Sequence, residues 1–260
     1  MPPHDATSDP ALAPSASTAE LERRLATVAQ ELEALRREQQ ALGFGLSHDL
    51  HAPLRAIDSF AWQLERNATL DATARDHVQR VRAAAARMSR LLERLQLFVN
   101  AGVAPLQAQR VDVSLLAEWI GADLRDAAPT RAITLRIQPG LHATGDERLL
   151  RTLLVQLLDN ACRFSEGDPR IEVEGEDAAA GMALRVRDHG IGFDTAAAGK
   201  LGQPFQRLHA DDSCAGSGLG LAIATRIVAR HGGTLHLEST PGAGTTVHLF
   251  LPERLPAEVA

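Results

Sequence analysis

The sequence predicts an α+β protein: an antiparallel helical hairpin dimerising into a four-helix bundle, followed by an α/β sandwich. Three observations carry that expectation. A heptad-spaced apolar seam runs from Leu21 to Leu64. A second amphipathic helical pattern follows from about Thr73 to Asn100, after a polar break at Asn67–Asp71. Beyond a linker at Gly102–Gln109, short β-like runs alternate with helical patterns over about 150 residues.

The seam begins with Leu21, Leu25, Val28, Leu32 and Leu35, at gaps of 4, 3, 4 and 3, the spacing of a coiled coil. It continues through Gln39, Leu42, Leu46, Leu50, Pro53, Ile57, Phe60 and Leu64. Two successive gaps of four, between Leu42 and Leu50, make a stutter, which locally unwinds a coiled coil. His48 lies inside it. At about 100° per residue, two steps from Leu46 and two from Leu50 turn His48 away from the seam, toward water. Pro53 sits inside the same helical pattern, where it costs roughly 3 kcal/mol and removes a backbone hydrogen bond. A rule broken at that size marks a functional candidate, and a kink just past His48 is expected. The second helix turns Val81, Met88, Leu91, Leu92, Leu95 and Phe98 toward a core. Two helices with one apolar face each cannot bury both, so a homodimer is the economical arrangement. The charged stretch Glu31–Gln40 reads as the solvated face of the coiled coil.

In the second half, strands are expected near Gln109–Val113, Ala132–Ile137, Arg170–Glu176, Met182–Asp188, Thr234–Glu238 and Gly244–Leu251. Helices are expected near Ser114–Ala127, Asp146–Phe164 and Gly218–His231. Residues 1–18, rich in Pro, Ala, Ser and Thr, read as a disordered tail.

Composition narrows the function. The chain has 260 residues and 45% apolar content, enough for one or two domains with real cores. Aromatics are only 3% and Tyr is absent, so those cores rest on Leu, Ala, Val and Ile. A net charge of −6 argues against a general nucleic-acid binder. No apolar run approaches the length of a membrane span and no signal-peptide pattern opens the chain, so a soluble, cytoplasmic protein is expected. Two cysteines, Cys162 and Cys214, without metal-ligand spacing, fit a reducing compartment.

Three constellations carry chemistry. The first, from Gln156 to Ser165, places Asn160 and Arg163 three residues apart on one helix face. An amide oxygen is a hard ligand that suits Mg²⁺, a guanidinium offers planar donors to phosphate, and Phe164 offers a ring face to a base. An ordinary polar helix end would show the same residues. The second, Asp188-His-Gly190-Ile-Gly192-Phe193, follows a strand. Its glycines allow a sharp turn and close approach of backbone to a ligand, and Asp188 can accept a hydrogen bond from the exocyclic amine of adenine, which guanine lacks at that position. A plain glycine-rich turn is the simpler alternative. The third, Gly216-Ser-Gly218-Leu219-Gly220, leads into a helix whose first N–H groups can cradle phosphate. The segment from Phe193 to Ala215 before it reads as a lid.

The order of these boxes, with His48 upstream and Pro204-Phe205 between the second and third, resembles two-component sensor histidine kinases. The resemblance runs from about Ser47 to Pro252. The wording around His48 and around Phe205-Gln-Arg-Leu-His is most similar to kinase cores of phytochrome-type and other soluble sensory proteins. It implies a coiled-coil signalling helix at 19–42 and a dimerisation and histidine phosphoacceptor domain at 43–101. A linker at 102–109, a GHKL-type ATPase domain at 110–252 and a tail at 253–260 would complete the chain. It implies ATP and Mg²⁺, with His48 as nucleophile and Asp49 orienting its ring. Asn160 would be the metal ligand, and Arg163, Phe164, Asp188, Gly190, Gly192, Phe205, Gly216, Gly218, Leu219 and Gly220 would form the nucleotide site. The implied partners are a second copy of the chain, a response-regulator receiver that accepts the phosphoryl group on Asp, and an upstream sensory module, with no nucleic acid and no direct membrane span.

The departures are specific. Ala52 stands where many relatives have Thr or Asn four residues after the phosphoacceptor, so phosphatase activity is expected to be weak. Gln156 replaces the usual first Asn of its box. Gly202 replaces an aromatic of the Phe box, leaving Phe205 alone. Phe164 replaces a frequent Tyr. Gln156 and Gly202 also fit a degenerate, ATP-binding signalling scaffold.

Overall fold

The computed structural model describes residues 16–66, 70–103, 105–194, 202–206 and 217–255; within the first helix the side chains of residues 16–19, 22, 32, 33 and 35–49 lie outside that description. The chain opens with a single 50-residue helix, α1 (Ala16–Glu65), whose backbone runs through both His48 and Pro53. α2 (Ala72–Val103) returns alongside it. Asp71 caps α2, its Oδ1 accepting the Ala74 N–H at 2.7 Å, which satisfies one of the donors a helix start leaves open.

Inside the hairpin the contact between helices is narrow. Leu54 of α1 packs with Ala85 and Leu92 of α2, and Ala61, one heptad after Leu54, is buried too. Arg82 reaches across from α2 to Asp58, at 3.1 Å, and to Glu65. The seam residues of α1 are not what faces α2. Leu50, Ile57, Phe60 and Leu64 remain exposed, Phe60 at 65%, as do Val81, Met88 and Leu91 of α2. The hairpin therefore hides one thin stripe and leaves a broad apolar face on each helix uncovered.

The second half is a two-layer sandwich. Strands β2 (Thr134–Ile137), β4 (Arg170–Ala178), β5 (Gly181–Asp188), β6 (Thr234–Thr240) and β7 (Gly244–Pro252) form one sheet in the order β2-β4-β5-β7-β6. Only the β2–β4 pair is parallel. Along β5, Met182, Leu184, Val186 and Asp188 are buried while Arg185 and Arg187 between the last three are exposed, the period-2 pattern of a sheet with one covered face. The cover is α3 (Val113–Ala127), α4 (Glu147–Arg163) and α5 (Gly220–Arg230). Leu153, Leu154 and Leu158 of α4 and Ile223 and Ile227 of α5 join Ile171, Val173, Leu184 and Leu251 of the sheet in one core.

β1 (Gln109–Asp112) pairs antiparallel with β3 (His142–Gly145) in a separate ribbon. β3 has no counterpart among the strands expected from sequence. It is four residues long, squeezed between the Gly140 turn and the Asp146 helix cap, too short for an alternation to register.

One buried polar knot ties α4 to the end of α5. Asp146, the N-cap of α4, accepts the backbone N–H groups of Arg148, Leu149 and Gln107. Its own N–H donates to Nε2 of His231 at 3.0 Å. Nε2 is thus an acceptor, so Nδ1 carries the proton and donates to the Ile227 carbonyl at 2.8 Å. His231 is fully buried, and burial pushes its pKa below the ordinary imidazole value. A depressed folded pKa means that the unfolded chain takes up a proton which the folded one refuses. The stability from this knot is complete above about pH 6.5 and is lost as pH falls through the folded pKa. His231→Gln is expected to flatten the pH dependence of folding stability between about pH 7 and 5, by up to about 1.4 kcal/mol per pH unit. Urea titrations of both proteins across that range check it; parallel slopes would refute the assignment.

Candidate functional site

A cavity opens between α4, α5, the β5 end and the β6–β7 pair. Its wall includes Asn160, Arg163 and Phe164 from α4 and its cap, Asp188 from β5, and Ile191, Gly192 and Phe193 from the loop after it. Gly202, Gln206, Gly218 and Gly220 add the far side, and Leu157, Ala161, Val186, Leu237, Leu221 and Val247 give the wall its apolar part.

The α4 side is set by local chemistry. Asp146 starts the helix, and nine buried residues on one face seat it on the sheet. Gln156 and Asn160, one turn apart, point toward α5, where a Cβ on Gly220 would lie 3.2 Å from Gln156 Oε1 and 3.4 Å from the Asn160 amide atoms. The end of α4 is fastened by Arg131, which donates to the carbonyls of Cys162, Ser165 and Gly167 at 2.6–3.0 Å. That grip satisfies the acceptors a helix C-terminus leaves open and holds the Phe164 turn. Cys162 beneath it is buried, which pushes its thiol pKa up.

The Asp188 loop is held as firmly. Asp188 is buried, and its Oδ1 accepts the N–H groups of Gly190 at 2.9 Å and Thr245 at 3.1 Å. Burial raises its carboxyl pKa, against the opposing pull of those two bonds. The Ile191 N–H donates to the Phe164 carbonyl at 2.9 Å. A Cβ on Gly190 would stand 2.2 Å from that same oxygen, so this position needs glycine for close approach. The Phe193 N–H donates to Ser239 Oγ, joining the loop to β6.

The structure thus draws Asn160, Arg163, Phe164, Asp188, Gly192, Gly218 and Gly220 onto one wall. Three other candidates stand beside it. Gly190 underlies the wall, and Leu219 is fully buried in the core. Phe205 is 56% exposed with a left-handed φ of 65°, its N–H donating to the Gly218 carbonyl. Gly216 and the side chains of His48 and Asp49 lie outside the described residues. Sequence reasoning did not single out Arg131, Thr245 or Arg94. Arg94, on α2, also lines the cavity, and nothing in its surroundings along the chain distinguishes it from neighbouring surface arginines.

The sandwich with its glycine-bounded cavity is that of the histidine kinase-, DNA gyrase B-, and HSP90-like ATPases, and residues 145–255 match that family. Residues 145–255 thus form a GHKL-type ATPase domain, and with the helical hairpin ahead of it the chain is similar to histidine kinase cores. It is 26% identical over 231 residues to phytochrome-like protein Cph1 of Synechocystis, covering 88% of this chain and 31% of that protein. It is 32% identical over 241 residues to sensor protein kinase PmrB of Pseudomonas aeruginosa, covering 91% of this chain and 50% of that one. The structure of full-length ShkA in complex with AMPPNP superposes with a TM-score of 0.64 at 26% identity, over 85% of this chain and 46% of that one. The chain spans about a third of the length of the first curated relatives it matches. Among the described residues no helix is long and apolar enough to cross a membrane.

Proposed function

We propose that this chain is an ATP-dependent protein-histidine kinase that phosphorylates His48 and passes the phosphoryl group to an Asp of a separate response-regulator receiver. The observation that carries the reading is the convergence of Asn160, Arg163, Asp188, Gly218 and Gly220 on one cavity of an ATPase-family domain, with a histidine-bearing hairpin joined to it.

Each residue then has a role. Asp188 Oδ1 is occupied by two backbone N–H groups, and Oδ2 accepts the exocyclic amine of adenine. Phe164 offers its ring to the base. The N–H groups at the start of α5, bare of side chains at Gly218 and Gly220, hold phosphate oxygens, and Arg163 adds a cation. The donor set fits a magnesium nucleotide, because Asn160 supplies one hard oxygen at the wall and Mg²⁺ takes its remaining ligands from water and substrate phosphates. The ion, when bound, neutralises charge on the transferring group. The neutral imidazole of His48 attacks the γ-phosphorus; an N–P bond forms as the P–O bond to ADP breaks. Asp49 accepts the other ring N–H, orienting the nucleophile.

The exposed faces at Leu50, Ile57, Phe60 and Leu64 and at Val81, Met88 and Leu91 are proposed to meet those of a second copy in a four-helix bundle. An upstream sensory module would act through the N-terminal stretch of α1. Ala52 offers a passing water no side-chain hydrogen bond, so dephosphorylation of the receiver is weak.

One labelling experiment reads these assignments together. The purified chain sediments as a dimer and, with radiolabelled ATP and Mg²⁺, takes up an acid-labile, alkali-stable label that mass spectrometry places on His48. The label is absent in His48→Ala and Asn160→Ala, and phosphorylated receiver outlives the assay with wild type. A wild type that binds ATP yet never carries phosphorus on His48 would instead be a nucleotide-binding scaffold.

Adenine selection rests on Asp188. In Asp188→Asn the amide oxygen takes over the Gly190 and Thr245 N–H groups, and its NH₂ faces the adenine amine, donor against donor. ATP affinity is expected to fall about tenfold to a hundredfold, while affinity for GTP holds or rises. Since burial raises the Asp188 carboxyl pKa, acidification toward that range weakens ATP binding in the wild type in the same direction, by turning the acceptor into a donor. Competition titrations with both nucleotides check this, and an unchanged ATP-to-GTP ratio would remove Asp188 from base recognition.

A further inference from the structure

The C-terminal end of α2 belongs to the hairpin by sequence but to the cavity by contact. Phe98 and Leu95 pack on the sandwich core, and Ala101 is buried within it. The Arg226 guanidinium of α5 lies 4.5 Å from the centre of the Phe98 ring. One turn earlier, Arg94 lines the cavity. Its Nη2 donates to Asp159 Oδ2 at 3.2 Å and its Nη1 meets Ser217 Oγ at 3.5 Å. Asp159 precedes Asn160, and Ser217 lies inside the glycine box. Arg94 therefore stands between the two segments assigned to metal and phosphate.

The Asp159 carboxylate is shared. The same Oδ2 accepts from Arg163 Nη2 at 2.8 Å. Two guanidinium groups thus share one carboxylate oxygen at the rim of the cavity, and all three side chains are only 24–34% exposed. A polyphosphate arriving at the glycine box offers Arg94 several charged oxygens in place of half of one carboxylate, and a planar guanidinium matches phosphate in a bidentate fork. Asp159 keeps Arg163, so the exchange leaves no buried charge alone.

We infer that Arg94 is a phosphate-binding residue supplied to the nucleotide site by the phosphoacceptor hairpin, held ready by Asp159 and transferred to the terminal phosphates of ATP on binding. This rests on the reading of the cavity as an ATP site. Its consequence is that filling the cavity and docking α2 on the sandwich favour each other, since ATP bridges the two.

The test compares ATP with AMP, which lacks the terminal phosphates. Affinities for both are measured by competition against a fluorescent nucleotide in wild type, Arg94→Ala and Arg94→Lys. Arg94→Ala is expected to lose about tenfold to a hundredfold in ATP affinity while AMP affinity is unchanged, and Arg94→Lys recovers part of the loss, a point charge without the fork. A merely structural role would weaken both nucleotides equally, and that result, or an ATP affinity untouched in Arg94→Ala, overturns the inference while leaving the ATP site standing. A wild type that binds neither nucleotide overturns the ATP site itself, and the Arg94 assignment with it.

Discussion

The arrangement of the site depends on a missing side chain at Gly220. α4 and α5 approach closely at their functional ends, where nothing projects from the first residue of α5. A Cβ there would stand 3.2 Å from Gln156 Oε1 and 3.4 Å from the Asn160 amide, so those side-chain ends would have to shift by a few tenths of an ångström where they border the cavity. Everything else in the sandwich serves that juxtaposition. The leucine-rich face of α4 and the buried Ile223 and Ile227 of α5 set both helices on one sheet, and the Asp146–His231 knot fixes the far end of α5 against the start of α4. The packing that makes the core is also what makes the site.

The same logic explains the second wall. Asp188 is costly to bury as a carboxylate, and the fold offsets this with two backbone N–H groups from different segments, Gly190 in its own loop and Thr245 across the sheet on β7. Those bonds also hold the carboxylate in place. At the Asn160 side of the cavity the arrangement differs, since Asp159 is divided between Arg94 and Arg163.

What the sequence disclosed follows the range of the interactions concerned. Asn160 and Arg163, the Asp188 loop and Gly218–Gly220 stood out because their chemistry is local: glycines where backbone must come close, a carboxylate after a strand, a helix start without side chains. The α4 and β5 periods were readable because each element buries one face. Arg94 and Thr245 were not, because their roles come from contacts 65 and 57 positions away in the chain, which no local pattern encodes. Leu219, placed between two glycines that line the cavity, turns inward and is fully buried; the box that names it as a candidate cannot tell a ligand contact from a core anchor. The seam of α1 was legible as a repeat, yet its partner was not. Leu54, outside that seam, meets α2, while Leu50, Ile57, Phe60 and Leu64 of the seam stay exposed.

The pairing inside the hairpin bears on how His48 on α1 relates to a cavity touched by α2. Antiparallel neighbours on two helices have position numbers with a nearly constant sum. Arg82 with Asp58, Gln79 with Glu65 and Arg82 with Glu65 give sums between 140 and 147. Carried nearly three turns beyond Asp58 along the same two helices, that register sets the backbone of His48 level with positions 92–99 of α2, the stretch that holds Arg94 and Phe98 against the sandwich. The docked turn of α2 and the turn of α1 that bears the histidine are thus at one height on the stem. A single helix, α1, runs from Ala16 through that level and Pro53 to Glu65. The contacts of Arg94 and Phe98 with the sandwich therefore lie at that same level of the hairpin.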